Sequence, residues 1–317
     1  MIAVHLERGR IEVRQVPKPG RPPGFALIRL LAAGICNTDL ELQRGYYNFA
    51  GTPGHEFVGN VVEADDPSLI GRRVVGEINL ACGVCEWCRK GLGRHCGSRT
   101  VLGIVKHPGA FSEYFTLPER NLHVLPDEIS TARATFTEPV AAACEILDQV
   151  VIPPAAEVAV LGDGKLGLLV VQVLLARGIG VHVYGRHAKK LWIARQSGAE
   201  TYVTDRLPAS RYDWVVEATG APEGLRQAVL MTRPRGTLIM KSTVHGTVAL
   251  DTAPVIVNEI SLVGSRCGRF EPALELIAGG KLRLDEMISD RFPLAEEASA
   301  FERAAEKGIL KVLLENP

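Results

Sequence analysis

Short runs of alternating apolar and polar residues fill the first half of the chain, from residue 1 to about residue 148. Residues 25–30 and 57–62 are typical of these runs, and glycine or proline separates most of them. Alternation with a period of two places successive side chains on opposite faces of a strand, and turn residues on both sides mark the strand ends. The first half is therefore predicted to form an all-β, barrel-like unit.

The pattern changes around Pro153 and Pro154, after which apolar runs of strand length alternate with segments of helical period. One helix is predicted over residues 189–196, ending at a left-handed cap on Gly198. Strands that alternate with helices form parallel sheets covered on both faces. A doubly wound parallel sheet is predicted, with six strands at residues 158–161, 181–184, 201–203, 214–216, 237–240 and 261–263.

These patterns divide the chain into three segments of an α/β protein. Residues 1–148 are expected to form the barrel-like domain, and residues 149–268 the doubly wound domain. Residues 269–317 contain a predicted helix at 272–278 and a closing strand at 310–314, and this tail is expected to return to the first domain. The length of 317 residues fits about two domains at roughly 150 residues each.

The charge balance excludes some classes of partner. The 36 basic and 36 acidic residues cancel, so neither nucleic acid nor an anionic membrane surface is an expected partner. The most apolar stretch, which begins at Leu166, reaches Arg177 before the ~20 residues that span a bilayer. No basic segment followed by an apolar run opens the sequence, so the expected compartment is the cytoplasm.

A glycine-rich turn follows the first predicted strand of the sheet. Its residues match the pattern G-x-G-x-x-G and precede a helical segment. In this context the glycines allow a tight turn and a close approach of pyrophosphate to the helix N-terminus, whereas an ordinary glycine-rich turn is the bland alternative. A dinucleotide site is predicted at Gly162, Gly164, Lys165, Leu166 and Gly167.

The end of the second predicted strand indicates which dinucleotide is bound. An acid usually stands there and binds the 2′-hydroxyl of the adenosine ribose, but this chain has Gly185, followed by Arg186, His187 and, further on, Lys190. We expect no carboxylate to repel a 2′-phosphate, and two cations to attract it. NADP(H) is therefore expected over NAD(H), and a solvated basic start of a helix is the alternative.

Four of the seven cysteines lie within fifteen residues, at Cys82, Cys85, Cys88 and Cys96. Clustered thiols in a chain with an odd number of cysteines favour a metal in a reducing compartment over disulfides. Four thiolates close a tetrahedral site, which is typical of structural zinc. An iron–sulfur cluster also uses four cysteines, but nothing else in the sequence indicates electron transfer.

A second group of possible metal ligands lies outside this cluster, at Cys36, His55, Glu56 and Glu138. Taken singly, each has an ordinary structural explanation as a core thiol or a hydrogen-bonded polar residue. Their surroundings change that assessment. Besides the four-cysteine segment and the dinucleotide turn, the chain contains three short motifs, namely G-H-E-x-x-G at residues 54–59, C-x-T-D at residues 36–39 and G-R-R-V-V at residues 71–75.

In this combination the sequence resembles the zinc-dependent medium-chain dehydrogenase/reductase superfamily, which includes alcohol, sorbitol, threonine and glucose dehydrogenases. The resemblance covers essentially the whole chain and implies a GroES-like catalytic domain joined to a Rossmann domain. It implies that Cys36 and His55 are ligands of a catalytic zinc, that Glu56 is an intermittent ligand or a neighbour of the zinc, and that Glu138 occupies the third-ligand position. With the four-cysteine site, two zinc ions per chain are expected.

The resemblance also implies a reaction. An open zinc site polarises the oxygen of an alcohol, polyol or carbonyl substrate, and a hydride passes between its carbon and the nicotinamide. Thr38 is expected to hydrogen-bond the substrate oxygen and to begin a proton relay, although an arbitrary threonine there would more often cap a helix. The relay histidine common in the family is Glu41 here, which leaves the rest of the proton route open.

Other roles follow from the resemblance. Lys311 stands where the family places a basic residue against the coenzyme pyrophosphate, with a surface lysine as the alternative, and Arg266 is a weaker coenzyme candidate. By analogy a homodimer or homotetramer is expected. A zinc-independent enone or quinone reductase is an alternative function, but its relatives generally lack both cysteine-containing sets. A non-catalytic NADPH-binding protein is a further alternative.

Overall fold

The computed structural model describes residues 1–243 and 247–316. In chain order its strands are β1 (Ile2–Glu7), β2 (Arg10–Gln15), β3 (Phe25–Gly34), β4 (Ala50–Gly51), β5 (Glu56–Glu63), β6 (Arg73–Gly76), β7 (Asn79–Leu80), β8 (Thr100–Leu102), β9 (Lys106–His107), β10 (Tyr114–Pro118), β11 (Leu122–Val124), β12 (Glu157–Leu161), β13 (Gly180–Gly185), β14 (Glu200–Val203), β15 (Tyr212–Glu217), β16 (Thr232–Met240), β17 (Ser261–Gly264), β18 (Ile288–Pro293) and β19 (Lys311–Glu315). Its α-helices are α1 (Asn37–Gln43), α2 (Glu86–Arg89), α3 (Thr131–Ala134), α4 (Thr137–Gln149), α5 (Lys165–Ala176), α6 (Ala188–Gln196), α7 (Pro222–Met231), α8 (Ala253–Val257), α9 (Phe270–Ala278) and α10 (Glu297–Ala305).

The described residues form two compact units, the first from Met1–Glu138 with the segment from Ile288 onward, and the second from Pro139–Met287. In the first unit the main sheet has the strand order β11-β6-β5-β3-β19-β18, and β10 also pairs with β3. Pairing of β19 with β3 is antiparallel. Apolar residues on these strands supply the core, in which the rings of Phe57 and Phe115 meet edge to face at 4.7 Å.

The second unit is a parallel sheet with the strand order β14-β13-β12-β15-β16-β17 among the residues that the structure describes. Residues 158–161 of β12 are all at most 1% exposed, because helices cover both faces of such a sheet. Each of the six predicted runs falls within one of these strands, so the predicted doubly wound sheet is confirmed. The predicted helix at residues 189–196 is α6, and Gly198 after it has a left-handed φ of +105°.

The unit boundaries were expected at residues 148 and 268, but they lie after Glu138 and after Met287. The helix α4 is continuous across residue 139, and its C-terminal part belongs to the second unit, where Gln149 donates a hydrogen bond to the carbonyl of Gly264. The segment up to Met287 also belongs there, because Gln172 of α5 accepts a hydrogen bond from the amide of Arg283. The prolines at 153 and 154 therefore mark a loop inside the second unit rather than its beginning.

Candidate functional site

Pairing of two strands brings together Cys36, His55 and Glu56. Gly34 at the end of β3 pairs with Glu56 at the start of β5. Cys36 follows β3 as the N-cap residue of α1, and His55 immediately precedes β5. The antiparallel register thus carries two distant sequence motifs to one end of the same strand pair.

The three side chains form a candidate metal site. One ligand atom from each of Cys36, His55 and Glu56 lies within 4.8 Å of the others. His55 is 3% exposed and Glu56 is 1% exposed, and within the described residues the Glu56 Oε1 atom is buried without a hydrogen-bond partner. A buried carboxylate oxygen in this condition is unfavourable unless a cation binds it. A thiolate, an imidazole and a carboxylate are ligands that suit zinc with one position left open.

Asp39 positions this group, a role that the sequence did not reveal. It is completely buried, and its carboxylate accepts hydrogen bonds from the amides of Cys36, at 2.9 Å, and Gly54, at 3.2 Å. Its Oδ1 atom also lies 3.4 Å from His55 Nδ1, a charge contact too long for a strong hydrogen bond. Burial is the largest single influence and lowers the pKa of His55, but the charges and hydrogen bonds of Asp39 and Cys36 together outweigh it and raise this pKa well above its usual value.

Gly54 is required in the turn before these ligands. Its φ is +99°, in the left-handed region, and a Cβ atom there would overlap the ring of Phe111. The turn presents its amide to Asp39, so the conformation of Gly54 and the orientation of His55 depend on the same carboxylate.

Lys311 pairs with Glu56 inside the first unit. Its Nζ atom contacts Glu56 Oε2, and the lysine side chain is 2% exposed. Burial is the largest single influence and lowers the pKa of Lys311, but the contact with Glu56 and the negative charges of Cys36 and Asp39 together outweigh it and raise this pKa above its usual value. The alternative of a surface lysine is therefore wrong. Contact of Lys311 with a coenzyme pyrophosphate stays a prediction.

Thr38 is close in the chain to the ligand Cys36, whereas Glu138 comes from a distant segment. The Thr38 Oγ1 atom is 3.7 Å from Cys36 Sγ. Cys36, not Thr38, is the N-cap residue of α1, so the capping alternative for Thr38 is wrong. Glu138 is the second residue of α4 and does not belong to the cluster whose ligand atoms lie within 4.8 Å of one another, so its role as a ligand stays a prediction.

The four-cysteine segment forms a second candidate metal site. One sulfur atom from each of Cys82, Cys85, Cys88 and Cys96 lies within 4.8 Å of the others. Cys85 Sγ is 3.4 Å from Cys88 Sγ, and all four residues are free thiols. Backbone amides, chiefly that of Val84, donate to the Cys82 thiolate and lower the pKa of Cys82 to about 6. Four sulfur atoms in this arrangement fit a closed zinc site.

The glycine-rich turn lies between β12 and α5. Gly162 has a φ of +122°, and a Cβ atom there would lie 2.5 Å from the carbonyl oxygen of Ala218. A Cβ on Gly167 would overlap the Gly162 carbonyl, whereas a Cβ on Gly164 would meet no atom within 4 Å. Gly164 is the N-cap residue of α5, a 12-residue helix, so the helix N-terminus begins beside open space. This arrangement fits a bound phosphate.

A carboxylate occupies the end of the neighbouring strand, contrary to the expectation from the sequence. Asp163 Oδ2 accepts hydrogen bonds from the amides of Arg186, at 2.8 Å, and His187, at 2.6 Å. The residues next to Gly185 in the chain carry no acid, and the carboxylate comes instead from the turn after β12. The expectation of no carboxylate at this position is therefore wrong.

Comparisons with known proteins identify the family of the chain. Residues 22–127 match the model of the alcohol dehydrogenase GroES-like domain, and residues 166–279 match the model of zinc-binding dehydrogenases. The D-arabitol-phosphate dehydrogenase of Enterococcus avium is 30% identical over 315 residues, which cover 92% of this chain and 89% of that protein. The chain belongs to the zinc-dependent medium-chain dehydrogenase superfamily.

Other members of the superfamily are similar over nearly the full chain. The D-altritol 5-dehydrogenase of Agrobacterium fabrum is 30% identical, with 92% of each chain covered. A protein of Sinorhizobium meliloti 1021, described as a zinc-binding dehydrogenase and solved with NADP bound, has a TM-score of 0.90 and 30% identity over 99% of this chain and 98% of its own. Alcohol dehydrogenase TADH of Thermus sp. ATN1 has a TM-score of 0.91 and 29% identity, with both chains fully covered.

Membership of this superfamily confirms the predicted family and the fold class, a GroES-like domain with a Rossmann-type sheet. The protein is an oxidoreductase of the polyol and alcohol dehydrogenase type. Among the helices within residues 1–243 and 247–316, none is long and apolar enough to cross a membrane.

The remaining predicted coenzyme residues lie in the second unit. Lys165 and Leu166 begin α5, Arg186 is exposed after β13, and Lys190 is half-buried on α6. Arg266 follows β17, and its carbonyl accepts a hydrogen bond from the buried ammonium of Lys241 at 2.7 Å. The roles of all of these residues toward a coenzyme stay predictions.

Proposed function

We propose that this protein is a zinc-dependent dehydrogenase that transfers a hydride between an alcohol or polyol, or its carbonyl form, and NADP(H). The observation that supports this most strongly is the group of Cys36 with the buried His55 and Glu56, in which one carboxylate oxygen has no hydrogen-bond partner. A zinc-independent enone or quinone reductase needs neither this group nor the four-thiol site. Both sets come together in this chain, which favours the zinc enzyme.

The chain supplies ligands, orientation and a proton path. When bound, zinc would polarise the substrate oxygen, and the nicotinamide would exchange a hydride with the neighbouring carbon. Asp39 holds the imidazole of His55 and the backbone of Cys36 in position. The Thr38 hydroxyl, which lies 3.7 Å from the Cys36 sulfur, would hydrogen-bond the substrate oxygen and accept its proton.

The four-thiol site is assigned to a second, structural zinc. A site with four protein ligands leaves no position for substrate, so this ion would fold its loop rather than take part in the reaction. Free thiolate ligands of this kind require a reducing compartment, in agreement with a cytoplasmic protein.

The preference for NADP(H) rests on Arg186 and Lys190, which follow β13. Arginine can pair with a phosphate through two parallel hydrogen bonds, and lysine contributes a point charge. We expect kcat/KM with NADPH to exceed that with NADH by about tenfold or more, which corresponds to one such ion pair. Replacement of Arg186 by alanine should remove most of this difference.

The activity is tested by following NADPH and NADH absorbance with a panel of polyols, sugars and secondary alcohols and with their carbonyl forms. Oxidation of at least one polyol or secondary alcohol, with the higher kcat/KM for NADP(H), is the expected result. Preference for NAD(H) would reject the coenzyme assignment alone. Absence of turnover across the panel, with either coenzyme and with both zinc sites filled, would reject the proposed activity.

An exposed sheet edge in the second unit supports the expected oligomer. β17 is the last strand of its sheet, and Leu262 on it is 39% exposed. Ile256 and Val257 on the neighbouring segment α8 are 71% and 79% exposed. Uncovered strand edges and apolar patches are usually paired or covered. We propose a homodimer or homotetramer, and light scattering should give a multiple of the 34.3 kDa chain mass, whereas a monomer would contradict it.

A further inference from the structure

Asp163 has an unusual position in the glycine-rich turn of the second unit. It follows Gly162, and only 7% of the residue is exposed. Besides the two amide hydrogen bonds from Arg186 and His187, its carboxylate lies 3.0 Å from Nδ1 of the His187 ring. The side chain thus crosses from the end of β12 to the end of β13 and holds the turn that leads into α6.

Gly185 is the counterpart of this acid. A Cβ atom on Gly185 would lie 2.6 Å from Asp163 Cβ and 2.7 Å from its Oδ2 atom, and its three nearest neighbours all belong to Asp163. The φ of Gly185 lies outside the left-handed region, so the backbone itself would accept a side chain. The glycine at the end of β13 is therefore required by the carboxylate that fills the space beside it.

In a dinucleotide-binding sheet, the space at the end of the second strand lies beside the adenosine ribose of the coenzyme. An acid at the end of the second strand binds the ribose 2′-hydroxyl of NAD and disfavours a 2′-phosphate. Here the second strand is β13, and the carboxylate at its end is contributed by the turn after β12. The acid is thus present in space although it is absent at residue 185.

The charged groups at this position act on a 2′-phosphate in opposite directions. Lys190 is half-buried, and although burial lowers its pKa, the negative charge of Asp163 acts in the opposite direction, so the two groups interact. A 2′-phosphate brought toward Arg186 and Lys190 would also approach Asp163 and be repelled by it. A 2′-hydroxyl could instead donate a hydrogen bond to the same carboxylate.

We propose that Asp163 is a specificity-determining residue of the coenzyme site, which favours a ribose 2′-hydroxyl and weakens binding of a 2′-phosphate. It opposes the NADP(H) preference that Arg186 and Lys190 provide. The inference rests on the dinucleotide site of the proposed function, but not on which coenzyme the native protein prefers.

The test compares dissociation constants for NADP⁺ and NAD⁺, measured by isothermal titration calorimetry on the full-length protein without substrate. Asp163→Asn removes the charge and keeps an oxygen that can accept the two amide hydrogen bonds. The ratio of the NAD⁺ constant to the NADP⁺ constant should rise about tenfold, because a like charge near the phosphate is lost. Asp213→Asn is the matched control, since Asp213 lies near the amino end of β15, and it should leave the ratio within about twofold.

A swap of the acid provides a second test that does not depend on Asp163→Asn alone. Asp163→Gly combined with Gly185→Asp moves the carboxylate to the end of β13, and removal of the Asp163 Cβ atom opens the space for it. This double variant should return the ratio to within about threefold of the native value, whereas Asp163→Gly alone should raise it.

The outcomes separate this inference from the proposed function. A native protein that prefers NAD⁺ would reject the NADP(H) assignment, and a rise of the ratio in Asp163→Asn would still support the role of Asp163. A ratio unchanged in both Asp163→Asn and Asp163→Gly would show that Asp163 only holds the turn and would overturn the inference. A native protein that binds neither coenzyme would reject both.

Discussion

Replacement of Cys36 by serine should lower kcat/KM by about 10³-fold or more. A serine hydroxyl is a poor zinc ligand compared with a thiolate, and loss of the polarising ion removes several kcal/mol of transition-state stabilisation. Cys36 is the N-cap residue of α1, and serine is favoured at that position, so the local fold should survive. The measurement is steady-state kinetics on the best substrate of the polyol panel.

Cys144→Ser is the matched control for this prediction. Cys144 is a free cysteine like Cys36 and is 7% exposed, but it lies on α4 outside both the four-thiol group and the three-ligand group. Its replacement should leave kcat/KM within a few-fold of the native value. An equal loss of activity in both variants, or a Cys36→Ser enzyme with native kcat/KM, would contradict the assignment of Cys36.

Lys311→Met should lower the midpoint of thermal unfolding of the first unit by about 10 °C. The substitution leaves the buried carboxylate of Glu56 without its cation, and breaking a buried ion pair from one side costs about 3–5 kcal/mol. Methionine keeps much of the lysine side-chain volume, so the effect reports the charge rather than a cavity. Differential scanning calorimetry on protein freed of metal measures it without interference from zinc binding to Glu56.

Two further variants decide whether the ion pair is responsible. Lys307→Met removes a cation from an exposed position of the same C-terminal segment and should shift the midpoint by no more than about 2 °C. Glu56→Gln added to Lys311→Met removes the unpaired charge and should recover most of the loss. A small shift in Lys311→Met, or no recovery in the double variant, would contradict the account of this pair.

Patterns along the chain were sufficient to predict the sheet of the second unit. Parallel strands buried on both faces are continuously apolar, so residues 158–161 and 181–184 were recognisable without their neighbours. The unit boundaries were not predictable in this way, because α4 is one uninterrupted helix whose two ends belong to different units. Apolar periodicity identifies a helix, but it does not say which core that helix joins.

The candidate ligands were predictable to the extent that they form local motifs. The spacing of the four cysteines and the His55–Glu56 pair can be seen in the sequence. The residues that orient the ligands or pair with them are harder to recognise there. Asp39 stands three residues after Cys36 and closes the C-x-T-D motif, a spacing typical of a helix cap, but the motif alone does not show that Asp39 also contacts His55. Asp163 and Lys311 gain their partners through pairing of distant strands and turns, which no local pattern contains.

The central claim is that the chain holds two zinc ions with different roles, and elemental analysis tests it most directly. Zinc per chain should be measured by inductively coupled plasma mass spectrometry on the native protein, on Cys36→Ser and on Cys85→Ser. We expect two zinc ions in the native protein and one in each variant. The Cys36→Ser variant should keep only the zinc of the four-thiol site and should be inactive. A native protein with one zinc, or a Cys36→Ser variant that keeps two, would contradict it.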